Sequence, residues 1–170
     1  MKKILMCLLL CVFCSQGIFA QKLAINKVDK FTKESLQETS GETLFSVNLL
    51  GTGFVYRFLF LLKKAGEEWY MPAEITLKEM VKYDDNSGIV LLLSNGETIN
   101  LSTLYTGIAA EPFGNGYKFD TSFKLSDDDI KKLSENDVTD IRISYLDGYY
   151  DKELKGNKKG LIKKMIALFN

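Results

Sequence analysis

Ile89-Val90-Leu91-Leu92-Leu93-Ser94-Asn95-Gly96-Glu97-Thr98-Ile99-Asn100-Leu101 decides the fold class. Two short apolar runs flank an Asn-Gly pair, and both turn residues tolerate positive φ. The stretch therefore reads as a β-hairpin on a type I′ turn. Upstream, Phe54-Val55-Tyr56-Arg57-Phe58-Leu59-Phe60-Leu61-Leu62 is aromatic, branched and short, which predicts a central strand buried on both faces. Leu44 to Leu50 forms the strand before it, through a Gly51-Thr52-Gly53 turn. After a turn over Lys63 to Glu67, Glu68-Trp69-Tyr70-Met71 resumes the sheet, and Pro72 closes that strand or marks an edge. Ala73 to Tyr83 fits a helical face or an alternating strand, and strand is preferred. Asp29 to Ser40 reads as an exposed edge strand or ordered arm.

Downstream, Gly107 to Gly116 reads as loop. Tyr117, Phe119, Thr121 and Phe123 then alternate with polar residues as a half-buried strand. Ser126 caps a helix whose first turn carries Asp127, Asp128 and Asp129 against the positive end of the dipole, and the helix ends near Asn136. Val138 to Leu146 and Tyr149 to Leu154 are strands around an Asp147-Gly148 turn, and a terminal helix spans about Lys158 to Phe169. Strands first and helices late make an α+β pattern. It predicts an antiparallel meander of about six or seven strands, with two helices from the C-terminal third packed on one face.

The N-terminus carries Lys2-Lys3, an apolar run from Ile4 to Cys14, and Ala20 before Gln21. Positive charge, apolar stretch and small residue are the parts of a cleavable secretory signal over residues 1–20, which leaves one domain over 21–170. The run is too short for a bilayer-spanning helix, which needs about twenty apolar residues. Leu10 and Phe13 are bulky for lipid attachment at Cys11 or Cys14. The expectation is export to the periplasm or outside the cell, with no transmembrane segment in the mature chain.

All three cysteines, Cys7, Cys11 and Cys14, lie in the removed segment, so stability must come from packing rather than disulfides. Without Lys2 and Lys3, 20 cations face 22 anions, which argues against a nucleic-acid partner. The chain has no histidine at all. Usual zinc and copper sites, thiol nucleophiles and Ser-His-Asp triads are excluded, and no metal site or catalytic residue is expected. Gly51-Thr52-Gly53 lacks the third glycine and following helix of a nucleotide loop, so no cofactor is expected either. Asp84-Asp85-Asn86-Ser87-Gly88 begins like a calcium loop but places Asn95 where the bidentate glutamate belongs, and reads as a turn.

Carboxylate, tyrosine or lysine chemistry and oxygen-ligated calcium stay open. Trp69-Tyr70 with Tyr145, Tyr149 and Tyr150 could form a stacking surface for a protein or glycan partner, with Trp69, Tyr145, Tyr149 and Tyr150 the binding candidates, or simply pack across strands. Leu161, Ile162, Met165, Ile166 and Phe169 form an apolar stripe beside Lys158, Lys159, Lys163 and Lys164. That stripe suits docking on a sheet or, alternatively, attachment to a membrane surface. Glu67-Glu68, Asp84-Asp85 and Asp147/Asp151 leave a carboxylate-based, glycosidase-like hydrolase as the other alternative. A non-enzymatic binding module is the leading reading, and the oligomeric state stays open.

Asp29-Lys30-Phe31-Thr32 with Thr39-Ser40, Leu92 to Glu97, Leu125-Ser126 with Ile130 to Leu133, Asp140 to Ile143 and Asp147 to Glu153 carry a resemblance. So does the lysine-rich terminal helix. The chain resembles a group of small secreted or periplasmic proteins of Gram-negative bacteria of unknown function. Members often carry glycine after the Phe-Thr pair, where this chain has Lys33. The resemblance implies export and one shared fold, and implies no activity and no site residues.

Overall fold

The computed structural model describes residues 22–49, 54–78, 81–82, 84, 87–104, 111–113 and 116–169. The expected signal segment with its three cysteines, the Gly51-Thr52-Gly53 turn, Met80 and Tyr83, Asp85-Asn86, and residues 107–110 and 114–115 of the expected loop lie outside the described residues.

The first strands are β1 (Leu23–Val28), β2 (Ser35–Thr39), β3 (Glu42–Leu49), β4 (Phe54–Phe60), β5 (Lys63–Ala65) and β6 (Glu68–Leu77). They are followed by β7 (Gly88–Leu93), β8 (Thr98–Ser102), β9 (Glu111–Phe113) and β10 (Gly116–Leu125). Helix α1 (Asp127–Glu135), strands β11 (Val138–Tyr145) and β12 (Gly148–Glu153) and helix α2 (Leu161–Ile166) complete the chain. Every strand pairing among the described residues is antiparallel.

The pairing order departs from a single meander of six or seven strands. One sheet has eight strands in the order β1-β2-β5-β6-β10-β9, with β4 also on β6 and β3 on β4; the other has four, ordered β12-β11-β7-β8. The branch in the larger sheet follows from the length of β6. Along one side its Glu68 to Tyr70 pairs with β5, and its Ala73 to Thr76 pairs with β4.

Pro72 lies inside β6 rather than at its end, and the branch is why it is tolerated. Its carbonyl accepts a hydrogen bond from the Leu61 N–H at 3.1 Å, so its nitrogen also faces the gap where β4 gives way to β5. The donor that proline lacks falls where the ladder is already broken. Similarly, β9 occupies part of the segment expected to be loop: it adds three residues against the start of β10. In β4 the expected double burial holds for one face only. Phe58 and Phe60 are fully buried, whereas Arg57 and Leu59 are half-buried.

The β7–β8 hairpin forms, but not on a type I′ turn. Lys33 is the non-glycine residue with positive φ among the described residues, so Asn95 keeps negative φ while Gly96 takes φ +87. The Gly96 N–H donates to the Leu93 carbonyl and the Leu93 N–H to the Glu97 carbonyl. This is the three-residue loop with a left-handed glycine bulge. The Asn95 side-chain oxygen accepts the Glu97 N–H at 3.0 Å, which fixes Asn95 in the turn without needing positive φ.

Both sheets contribute to one core, with Phe58, Phe60, Phe119 and Phe123 from the larger and Ile89, Leu91, Leu93 and Ile143 from the smaller. Contact between β8 and β10 closes one side through a bridge from Thr103 to Phe123. Helix α1 begins as its sequence dictates: Ser126 Oγ accepts the Asp129 N–H, and the Asp129 carboxylate accepts the Ser126 N–H. Helix α2 is shorter than expected. Residues 156–158 and 167–169 are tight 3₁₀ turns, and Gly160 offers no side-chain cap. Lysines at the start oppose the dipole, so burial holds the segment in place. Leu161, Ile162, Met165 and Ile166 are all at most 4% exposed. Helices α1 and α2 pack against each other, and the Lys158 ammonium donates to the Thr43 carbonyl of β3. Among the described residues no helix is long and apolar enough to cross a membrane.

Candidate functional site

A hollow at one end of the two sheets

Alternation along β4 places Tyr56 on the same side as buried Phe58 and Phe60, facing the other sheet. Across the pairing with β6, Arg57 opposes Thr76, which brings Leu77 beside Tyr56 at this end of the larger sheet. From the smaller sheet, Tyr145 ends β11 with the parity of buried Ile141 and Ile143, and Tyr150 enters β12 from the Asp147-Gly148 turn. The rings of Tyr56 and Tyr150 stack across the two sheets with centroids 4.7 Å apart and planes 7° from parallel. Phe45 of β3 meets the Tyr150 ring at 5.9 Å.

These elements enclose a hollow of about 220 Å³ lined by Tyr56, Leu77, Lys78, Val81, Tyr145, Tyr149 and Tyr150. Leu77 and Val81 are buried and supply an apolar wall, while Lys78 is exposed at the rim. The Tyr145 hydroxyl donates a long hydrogen bond, 3.5 Å, to the Tyr149 carbonyl. Burial, and to a smaller degree Tyr56, pushes the Tyr150 phenol above its ordinary pKa. Tyr150 therefore stays protonated further into alkali than an ordinary phenol.

Where the expected aromatic residues lie

Three of the four expected aromatics meet in this hollow, and Trp69 does not. Trp69 is 7% exposed, with Phe169 edge-on at 4.7 Å and the Lys64 ammonium 5.2 Å from its ring centre. Trp69 packs against Phe169 of the chain's own C-terminal segment. Tyr149 is 59% exposed, and the Arg142 guanidinium lies 4.1 Å from its ring centre. Arg142 is itself held by Asp151 through two parallel hydrogen bonds of 2.7 Å, Nε to Oδ1 and Nη2 to Oδ2. That pairing holds the Asp151 carboxyl below the usual range.

Tyr56 and Lys78 were not among the residues singled out from the sequence. Tyr56 is hidden in an aromatic run that reads as uniform core. The usable signal is its parity: a phenol two residues before buried Phe58, near the strand start, must face the core at the open end of a sheet.

The acidic groups

Glu68 accepts hydrogen bonds from Lys124 and Tyr70, and both hold its carboxyl down. Asp29 is lowered by the backbone N–H groups of Thr32 and Phe31. A proton-donating carboxyl needs the opposite shift. In the 84–88 turn, Ser87 Oγ donates to Asp84 Oδ1 at 2.7 Å and accepts the Asp84 N–H at 2.9 Å. Among the described residues, no group of three His, Cys, Asp or Glu residues is arranged to hold a metal ion.

Compared with models of protein families, with curated proteins and with solved structures, the chain matches none.

Proposed function

We propose that this chain is an exported, non-enzymatic binding module whose ligand occupies the hollow between Tyr56, Tyr145 and Tyr150. The observation that carries this reading is an unfilled space at the end of a close-packed core, walled by phenols rather than sealed by aliphatic side chains. Binding sites favour hollows with an apolar wall and a few polar groups. Tyrosine suits the task because its ring offers contact area and its hydroxyl a directional partner. A binding role is favoured over hydrolysis because the ionisable groups around the hollow are phenols and an ammonium. The Asp151 carboxyl, which follows Tyr150 in β12, is committed to Arg142. In this reading the helical pair covers one face of the sheets, and its buried apolar stripe serves the core rather than a membrane.

Tyrosine-labelled protein exposed to solubilised envelope fractions tests this directly. Ring resonances of Tyr56, Tyr145 and Tyr150 should shift with an active fraction, while the indole signal of Trp69, the single tryptophan, stays in place. Shifts at Trp69 without shifts at the three tyrosines would overturn the proposal, as would fractions that move neither.

A further inference from the structure

Resting on that reading, we infer that the hollow takes one acidic sugar ring, a pyranose bearing a carboxylate, with the carboxylate on the Lys78 ammonium.

Size limits the occupant first. About 220 Å³ is below the roughly 300–1,000 Å³ typical of pockets for drug-sized ligands. It admits a single six-membered ring, not a nucleotide or a folded peptide segment. The walls then select its chemistry. A pyranose has an apolar C–H face and an equatorial belt of hydroxyls. Aromatic rings and the Leu77 and Val81 side chains suit the first, and a phenol hydroxyl such as that of Tyr150, which can donate and accept, suits the second.

Charge makes the last distinction. Lys78 is the charged residue lining the hollow, and no carboxylate lines it among the described residues. A neutral sugar would leave this ammonium to water, whereas a uronate would meet it. A charge-assisted hydrogen bond is about twice as strong as a neutral one. Lys78 is exposed and follows directly on the end of β6, so the carboxylate would lie at the rim and the ring would enter beneath it. The position is open enough for that ring to be one unit of a longer acidic polysaccharide.

The test titrates the purified protein with galacturonate, glucuronate and mannuronate, each beside its neutral parent hexose, following the tyrosine ring signals. At least one uronate should shift Tyr56, Tyr145 and Tyr150 and bind roughly tenfold more tightly than its parent, a preference weakened by 0.5 M salt. Lys78→Gln should abolish the preference, bringing the uronate down to the affinity of its neutral parent. Its side chain is exposed, so folding is not at risk. Equal binding of acid and parent, or a preference that survives Lys78→Gln, overturns the acidic-sugar inference and leaves the tyrosine hollow standing as a site. Stronger binding of a short Asp- and Glu-containing peptide than of any uronate overturns it in favour of a protein ligand. If no sugar moves a tyrosine signal the inference fails, and the envelope-fraction experiment judges the hollow independently.

Discussion

Trp69 and the Tyr56–Tyr150 pair are both aromatic clusters at the margin of the same core, and they are finished differently. At Trp69 the chain supplies its own occupants: Phe169 reaches the ring edge-on, and Lys64 lies toward its face. Trp69 is left 7% exposed. At the tyrosines, Phe45 and the two stacked rings complete one side, and the other is left as a hollow beside Leu77 and Val81. Aromatic density in the sequence therefore does not separate packing from binding. What differs between the two clusters is the hollow beside one of them, and that depends on which distant segments arrive.

The largest effect that would test this contrast is Trp69→Ala. Removing a buried tryptophan costs about 3–5 kcal/mol, and here it also strips Phe169 of its contact. Urea unfolding should show a large drop in midpoint, with ligand response at the tyrosines unchanged wherever the protein remains folded. If binding falls while the protein is still folded, the two clusters are not independent and the contrast breaks. A smaller effect of opposite sign comes from Lys33→Gly. Lys33 has φ +64 in a turn whose Asp29 carboxylate accepts the N–H groups of Phe31 and Thr32, both at 2.8 Å. A side chain in that left-handed region costs about 1–2 kcal/mol, part of which glycine gives back through roughly 0.5–1 kcal/mol of extra unfolded-state freedom. The net expectation is a gain of about 0.5–1 kcal/mol. Thermal unfolding should show it with no change at either aromatic cluster. A loss of stability would mean that the lysine side chain contributes more than its backbone conformation costs.

What the sequence made legible was local. The Ser126–Asp129 capping box, the Asp147-Gly148 turn and the alternation of β10 all act within a few residues, and each could be read directly. The division into two sheets could not. It depends on β10 returning to β6 and β11 to β7, pairings between distant segments that share one hydrophobic pattern. Short polar strands such as β5 and β9 form because a neighbour offers free backbone groups, and their own residues carry little propensity. Pro72 misled for the same reason, since only the branch beside β6 removes the need for its missing donor. The site was half legible: Tyr145, Tyr149 and Tyr150 stood out near a turn, but Tyr56 looked like core. Lys78 had no pattern to mark it before β6 was placed against β4.

The smallest effect at neutral pH, and the sharpest for the contrast, is Tyr150→Phe. The substitution keeps the ring stacked on Tyr56 and removes only the hydroxyl, so stability near pH 7 should change by less than about 1 kcal/mol. The difference appears in alkali. Folding raises the Tyr150 pKa above its ordinary value of 10.0, because burial disfavours the phenolate and Tyr56 adds to that. Stability linked to this group is fully present below pH 10 and is lost as pH rises through the higher folded pKa, since the unfolded chain releases the proton more readily. Tyr150→Phe removes that linkage, so its alkaline unfolding should begin at higher pH than that of the unsubstituted protein. Ultraviolet titration should lose one late-ionising phenol. Ligand affinity should fall at neutral pH even though stability barely moves, the reverse of Trp69→Ala. Unchanged affinity together with unchanged alkaline unfolding would make the tyrosine stack a packing feature like the tryptophan corner, and the hollow beside it a void without a ligand.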